Sequence, residues 1–99
     1  MKIKLADYMD KTIEHNGFQL KPRDAYETAK NIEEIFLKNA KWFRKPEPMH
    51  YLELRRQYKQ IRPQMEHLHP GVVDLMTQPE ILSQLGFPVD NEGHVTYPL

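Results

Sequence analysis

Residues 22–45, PRDAYETAKNIEEIFLKNAKWFRK, form the longest run with helical spacing and no glycine or proline after its first position. A helix over the whole span would be about 36 Å long at the usual rise per residue. Its apolar line is Ala25, Ala29, Ile32, Phe36, Ala40, Phe43, the three-and-four spacing that gathers side chains on one face. Ile35 and Trp42 widen that face on one side, and Tyr26 and Leu37 on the other. Only Glu27, Lys30, Asn31, Glu34, Lys38 and Lys41 remain on the polar arc. A helix apolar over more than half its circumference is covered by neighbours on two sides, so this segment reads as the centre of the fold. Pro22 suits its first turn, and Asp24 and Glu27 suit the positive end of its dipole. Lys38, Lys41, Arg44 and Lys45 suit the negative end. Pro46 closes it, because the residue before a proline is pushed out of the helical region.

Towards the N-terminus, residues 3–15 read as a first helix with Leu5, Met9 and Ile13 turned inward. Gly17 is expected to end it in the left-handed conformation, with Phe18 touching Ile13 as in a Schellman stop. Towards the C-terminus, Lys45-Pro46-Glu47-Pro48 makes a short stiff connector to a third helix over 48–62, with Tyr51, Leu54, Tyr58 and Ile61 on its inner line. Met65, Leu68, Val72 and Leu75 continue the line in phase to and beyond residue 69, across a break at Pro63. Residues 79–85 read as a last helix, opened by Pro79 and stopped by Gly86. Val89 on one side of Asp90-Asn91-Glu92-Gly93, and Val95 with Tyr97 on the other, make 87–99 a C-terminal extension, either a tail or a small hairpin. The prediction is therefore an all-α helical bundle of three to four antiparallel helices, a single domain over 1–99.

Composition narrows the classes of function. The chain has 99 residues, 28% of them charged, and a formal net charge of zero, which suits one folded domain rather than disorder. It has no cysteine, so disulfides, thiol catalysis and thiolate metal sites are excluded together. Early charges at Asp7, Asp10 and Lys11 interrupt any hydrophobic leader, and no apolar run is long enough to span a bilayer, so a cytoplasmic protein without a membrane segment is expected. The five methionines point to an adaptable core or contact surface.

Charge is unevenly placed. Between Lys38 and Arg62 eight Lys or Arg face only Glu47 and Glu53. Lys38, Lys41, Arg55, Arg56, Lys59 and Arg62, interleaved with Trp42, Tyr51 and Tyr58, have the composition of an anion or nucleic-acid surface with stacking partners. Against this, each base lies in the C-terminal part of its own helix, where it complements the dipole. Antiparallel helices would also set Arg55, Arg56, Lys59 and Arg62 beside acidic Asp24 and Glu27. Nucleic-acid or anionic-ligand binding therefore ranks second.

No catalytic constellation is legible. Ser83 is the lone serine and has no glycine-rich elbow, the four glycines are scattered, and Glu33 and Glu34 diverge. Among His15, His50, His67, His69 and His94 no pair has the three-or-four spacing that would set two ligands on one helix face, so neither a metal nor a cofactor is expected. The leading expectation is a non-catalytic protein-binding module, an inhibitor or adaptor of a larger protein; a subunit of a homo-oligomer or larger assembly is a further alternative. Its expected contact surface is Trp42, Arg44, Lys45, Met49, His50 and Tyr51, which combine the aromatic, Arg and Met groups enriched at interfaces.

Overall fold

The computed structural model describes residues 10–40 and 46–98. Within them the fold is mixed α/β, not all-α. Five helices are joined by two antiparallel two-stranded pairings. Strands β1 (Ile13–His15) and β2 (Phe18–Leu20) form a hairpin, followed by helix α1 (Pro22–Lys38). Then come β3 (Met49–His50), α2 (Tyr51–Ile61), α3 (Pro63–Leu68), α4 (Val72–Met76), α5 (Pro79–Gln84) and β4 (His94–Val95).

The first correction falls at residues 13–20. The helix expected over 3–15 is not present at its described end, because Ile13–His15 pairs with Phe18–Leu20 in the register Ile13 to Leu20, Glu14 to Gln19, His15 to Phe18. Asn16 and Gly17 both have positive φ, at 50° and 84°. Two successive left-handed residues are the signature of a type I′ turn, whose twist matches that of the flanking strands, and Asn-Gly is its preferred sequence. Gly17 therefore reverses a hairpin rather than ending a helix. The Schellman stop occurs instead at α5, where Phe87 N–H donates to Leu82 C=O at 3.0 Å and Gly86 N–H to Ser83 C=O at 3.1 Å.

The central helix is shorter than 22–45. Asn39 ends it by bonding back twice, with its backbone N–H near the carbonyls of Ile35 and Phe36 and its Nδ2 donating to Ile35 O at 2.7 Å. That side chain competes for the carbonyls a further turn would use. Lys41 to Lys45 lie outside the described residues. The next helix starts at Tyr51 rather than residue 48, since Met49 and His50 are taken by pairing with Val95 and His94. Val95 also bridges Val89, and Asp90 N–H donates to His94 C=O at 3.0 Å, so the segment after α5 is a hairpin tied to the body.

Breaks at Arg62 and at His69-Pro70-Gly71 separate α2, α3 and α4. Arg62 leaves the helical region at φ −133°, ψ 60°, and Gly71 is left-handed at φ 83°. These breaks do not preserve the phase of the apolar line. Leu68 and Leu75 are exposed, while Val73 and Met76 are buried.

The core lies where α1 meets everything else. In one buried cluster Ala25, Ala29, Ile32, Ile35 and Phe36 of α1 join Leu54 and Tyr58 of α2, Val73 and Met76 of α4, Ile81 and Leu82 of α5, and Ile13 and Leu20 of the hairpin. Phe36 stacks on Phe87 with ring centroids 6.0 Å apart and meets the Tyr97 ring at 5.9 Å. The C-terminal segment is thus part of the core. No helix among the described residues is long and apolar enough to cross a membrane.

Candidate functional site

Of the six residues expected to form a contact surface, Trp42, Arg44 and Lys45 lie outside the described residues. Met49, His50 and Tyr51 come together at the β3–α2 corner, where each is half-buried. His50 Nδ1 accepts from Leu52 N–H at 3.2 Å and caps α2. Its ring stacks on Tyr51 at 4.9 Å and meets His94 edge-on at 5.5 Å. Tyr51 in turn lies under the Arg55 guanidinium, 5.3 Å from the ring centroid. The corner's side chains therefore hold strand, helix and tail together.

The basic residues have partners other than the expected ones. Arg55 Nε donates to Thr77 Oγ1 at 2.8 Å and its Nη2 to Asp74 O at 3.2 Å. Lys59 Nζ sits 2.9 Å from Asp74 Oδ1. Arg56 pairs with Glu53 one turn back on α2, and the paired guanidinium holds the Glu53 carboxyl below its ordinary value. Arg62 Nη2 donates to Glu34 Oε2 at 2.9 Å. Because α4 folds back over α2, Asp74 takes the place expected for Asp24 and Glu27. Lys38 is exposed in the last turn of α1, and Lys41 is outside the described residues.

The feature with the geometry of a binding site is elsewhere. A groove of about 550 Å³ runs between β2, α1 and the arm formed by α3 and α4. Its floor is apolar, made by Leu20, Tyr58, Met65, Val72 and Met76, with Thr28 among them. Its volume falls in the range of ligand pockets. Local structure explains why it stays open. α3 buries none of its own residues, so it lies over the core on Met65 alone rather than sealing against α1. On the facing wall, the small residues Ala25 and Ala29 let α1 come close to the core, whereas polar Asp24, Glu27 and Asn31 line the groove.

Three polar side chains of the groove are held by bonds to one another or to its floor. Thr28 Oγ1 donates to Met76 Sδ at 3.2 Å, and Asn31 Nδ2 donates to Tyr58 Oη at 3.0 Å. Burial pushes the Tyr58 hydroxyl up from its ordinary value. Hydrogen bonds with Asn31 and Thr28 and the charge of Arg62 oppose the rise, while Glu27 adds to it. Arg62 and His69 stand on one rim, Asp24 and Glu27 on the other. Among the described residues no ion pair is made by Asp24 or Glu27. A second depression, about 590 Å³, lies on the outer face of α1, where Lys30, Lys38 and Arg62 mingle with Glu27, Glu33 and Glu34. Leu37 is the one apolar side chain among those lining it, which makes it the weaker candidate.

Sequence reasoning missed the groove because its walls come from residues 18–31 and 58–76, whose approach depends on the hairpin and on two helix breaks. The one available signal was the methionine content, since Met65 and Met76 both contribute to the floor. Among the described residues no three His, Asp or Glu side chains converge on a metal-sized space. Comparison with protein-family models, with curated proteins and with solved structures gives no match, so the geometry alone carries the functional reading.

Proposed function

We propose that this protein is a non-catalytic binding module, an inhibitor or adaptor, that holds part of a larger protein in the groove between β2, α1 and the α3–α4 arm. The observation that supports it most directly is the groove itself, with an apolar floor containing two methionines and a polar rim whose acids make no ion pair among the described residues. Apolar pockets ringed by polar groups are where interface anchors seat, and methionine lets such a surface adapt to its partner. The internal pairing of Arg55, Arg56, Lys59 and Arg62 lowers the standing of the nucleic-acid reading. A cytoplasmic location is part of the same proposal, and the absence of cysteine is compatible with it.

The test is affinity capture from native cell extract on immobilised wild-type protein and on Val72→Arg, each with and without nuclease. Arginine at position 72 would project a charged chain into the groove. A protein retained by the wild type, lost on Val72→Arg and indifferent to nuclease is expected. Equal retention on both baits, or loss on nuclease treatment, would contradict the reading. A captured second copy of the chain would replace the adaptor with a homo-oligomer.

A further inference from the structure

The groove is bordered along one side by a strand edge, and the two edges of the β1–β2 hairpin are treated differently by the fold. In a hairpin with a two-residue turn, the pair flanking the turn exchanges both backbone bonds, and alternate pairs do so thereafter. Here those pairs are His15 with Phe18 and Ile13 with Leu20, so Glu14 and Gln19 point their N–H and C=O groups away from each other, to the two outer edges. On the β1 side the structure shows this directly, since Glu14 C=O accepts from Gln84 Nε2 of α5 at 3.3 Å. That edge is covered. On the β2 side, among the described residues, the Gln19 backbone bonds to nothing beyond the hairpin, and Gln19 lines the groove with Phe18 and Leu20.

An uncovered strand edge beside an apolar groove is the arrangement that accepts an extended peptide, with main-chain bonds supplying affinity and the pocket reading side chains. Charge indicates the peptide's character. Asp24 and Glu27, three residues apart on the first turns of α1, both line the groove and make no ion pair among the described residues, whereas Arg62 on the facing rim is already bonded to Glu34. We propose that an extended segment of the partner adds to the outer edge of β2 as a third strand, pairs its backbone with Gln19, seats an apolar side chain over Met65 and Met76, and sets a Lys or Arg against Asp24 and Glu27. This rests on the groove being the binding surface and adds the conformation and chemistry of what occupies it.

The experiment is selection of a phage-displayed library of random linear octapeptides on the full-length protein. The best peptide is then made synthetically and titrated into protein labelled with ¹⁵N and with ¹³C-methyl methionine. The selected peptides are expected to alternate apolar with polar residues and to carry Lys or Arg. The Gln19 amide and the Met65 and Met76 methyl signals should shift saturably together. N-methylation of the one peptide residue opposite Gln19 should weaken binding at least tenfold, whereas N-methylation of its immediate neighbours, whose N–H groups face solvent, should not. Asp24→Asn with Glu27→Gln should weaken a basic peptide by a similar factor without altering the fold, since both side chains are exposed. If no peptide is selected, or if the selected peptides are acidic, strand addition is overturned. If the methionine methyls shift while Gln19 and the N-methyl series show no effect, strand addition is overturned and the groove reading stands. If neither moves and Val72→Arg also captures as the wild type does, both readings fall.

Discussion

The Tyr58 hydroxyl belongs both to the core and to the floor of the groove. Its side chain is enclosed, and the oxygen accepts from Asn31 at 3.0 Å. Replacing it with phenylalanine removes that acceptor and leaves the half-buried Asn31 amide without its partner, which costs about 0.5–1.5 kcal/mol by the usual value of such a bond. The pH dependence has a definite sign. Burial raises the folded-state value above the ordinary one, so the proton is held more tightly in the folded chain. The corresponding stability is fully present below the unfolded value, and it is lost as pH rises through the folded one. Urea titrations of wild type and Tyr58→Phe at neutral pH and above the ordinary tyrosine range, about 10, should therefore show the wild type more stable at neutrality and the gap narrowing when alkaline. A gap that stays constant or widens would mean that the hydroxyl is not enclosed as described.

At the scale of elements, the hairpin makes a claim about individual amides. Phe18 and Leu20 N–H groups point into the β1–β2 pairing, and Gln19 N–H points outward from it. Native-state hydrogen exchange should find Gln19 exchanging much faster than its two neighbours; equal protection would mean that the edge is already covered. The same segment shows what was legible beforehand. The apolar line of α1 from Ala25 to Phe36, the break at Pro63 and the stop at Gly86 could all be read from local rules, because each depends on residues within a turn of one another. Asn16-Gly17 was legible in principle as a turn signal, but a glycine after an apolar residue also fits a helix stop. The positive φ of Asn16, which separates the two, is set by the pairing of Ile13 with Leu20. The burial of Val73 and Met76 in place of Leu68 and Leu75 was not legible, since Arg62 and Gly71 turn the chain by amounts that no periodicity encodes.

Across the whole molecule, α1 is the common wall. One face carries the core and reaches the C-terminal segment through Phe36, Phe87 and Tyr97, whose hydroxyl donates to Glu33 Oε2 at 3.1 Å. Its groove side meets β2 and the α3–α4 arm without closing on them. Arg55 and Lys59 of α2 pair with Asp74 of that arm, and Arg62 at the end of α2 pairs with Glu34 of α1. Of the six bases in the expected anion surface, Arg55, Lys59 and Arg62 thus tie α2 to its neighbours. The measurement that tests this account most directly is hydrogen–deuterium exchange of the full chain, alone and saturated with the protein it captures from extract. The account predicts new protection at residues 18–20 and 64–76, on the two sides of the groove, with residues 49–51 unchanged. Protection confined to 49–51 and the segment before it, with the groove's walls unaffected, would contradict it and return the contact surface to the β3–α2 corner.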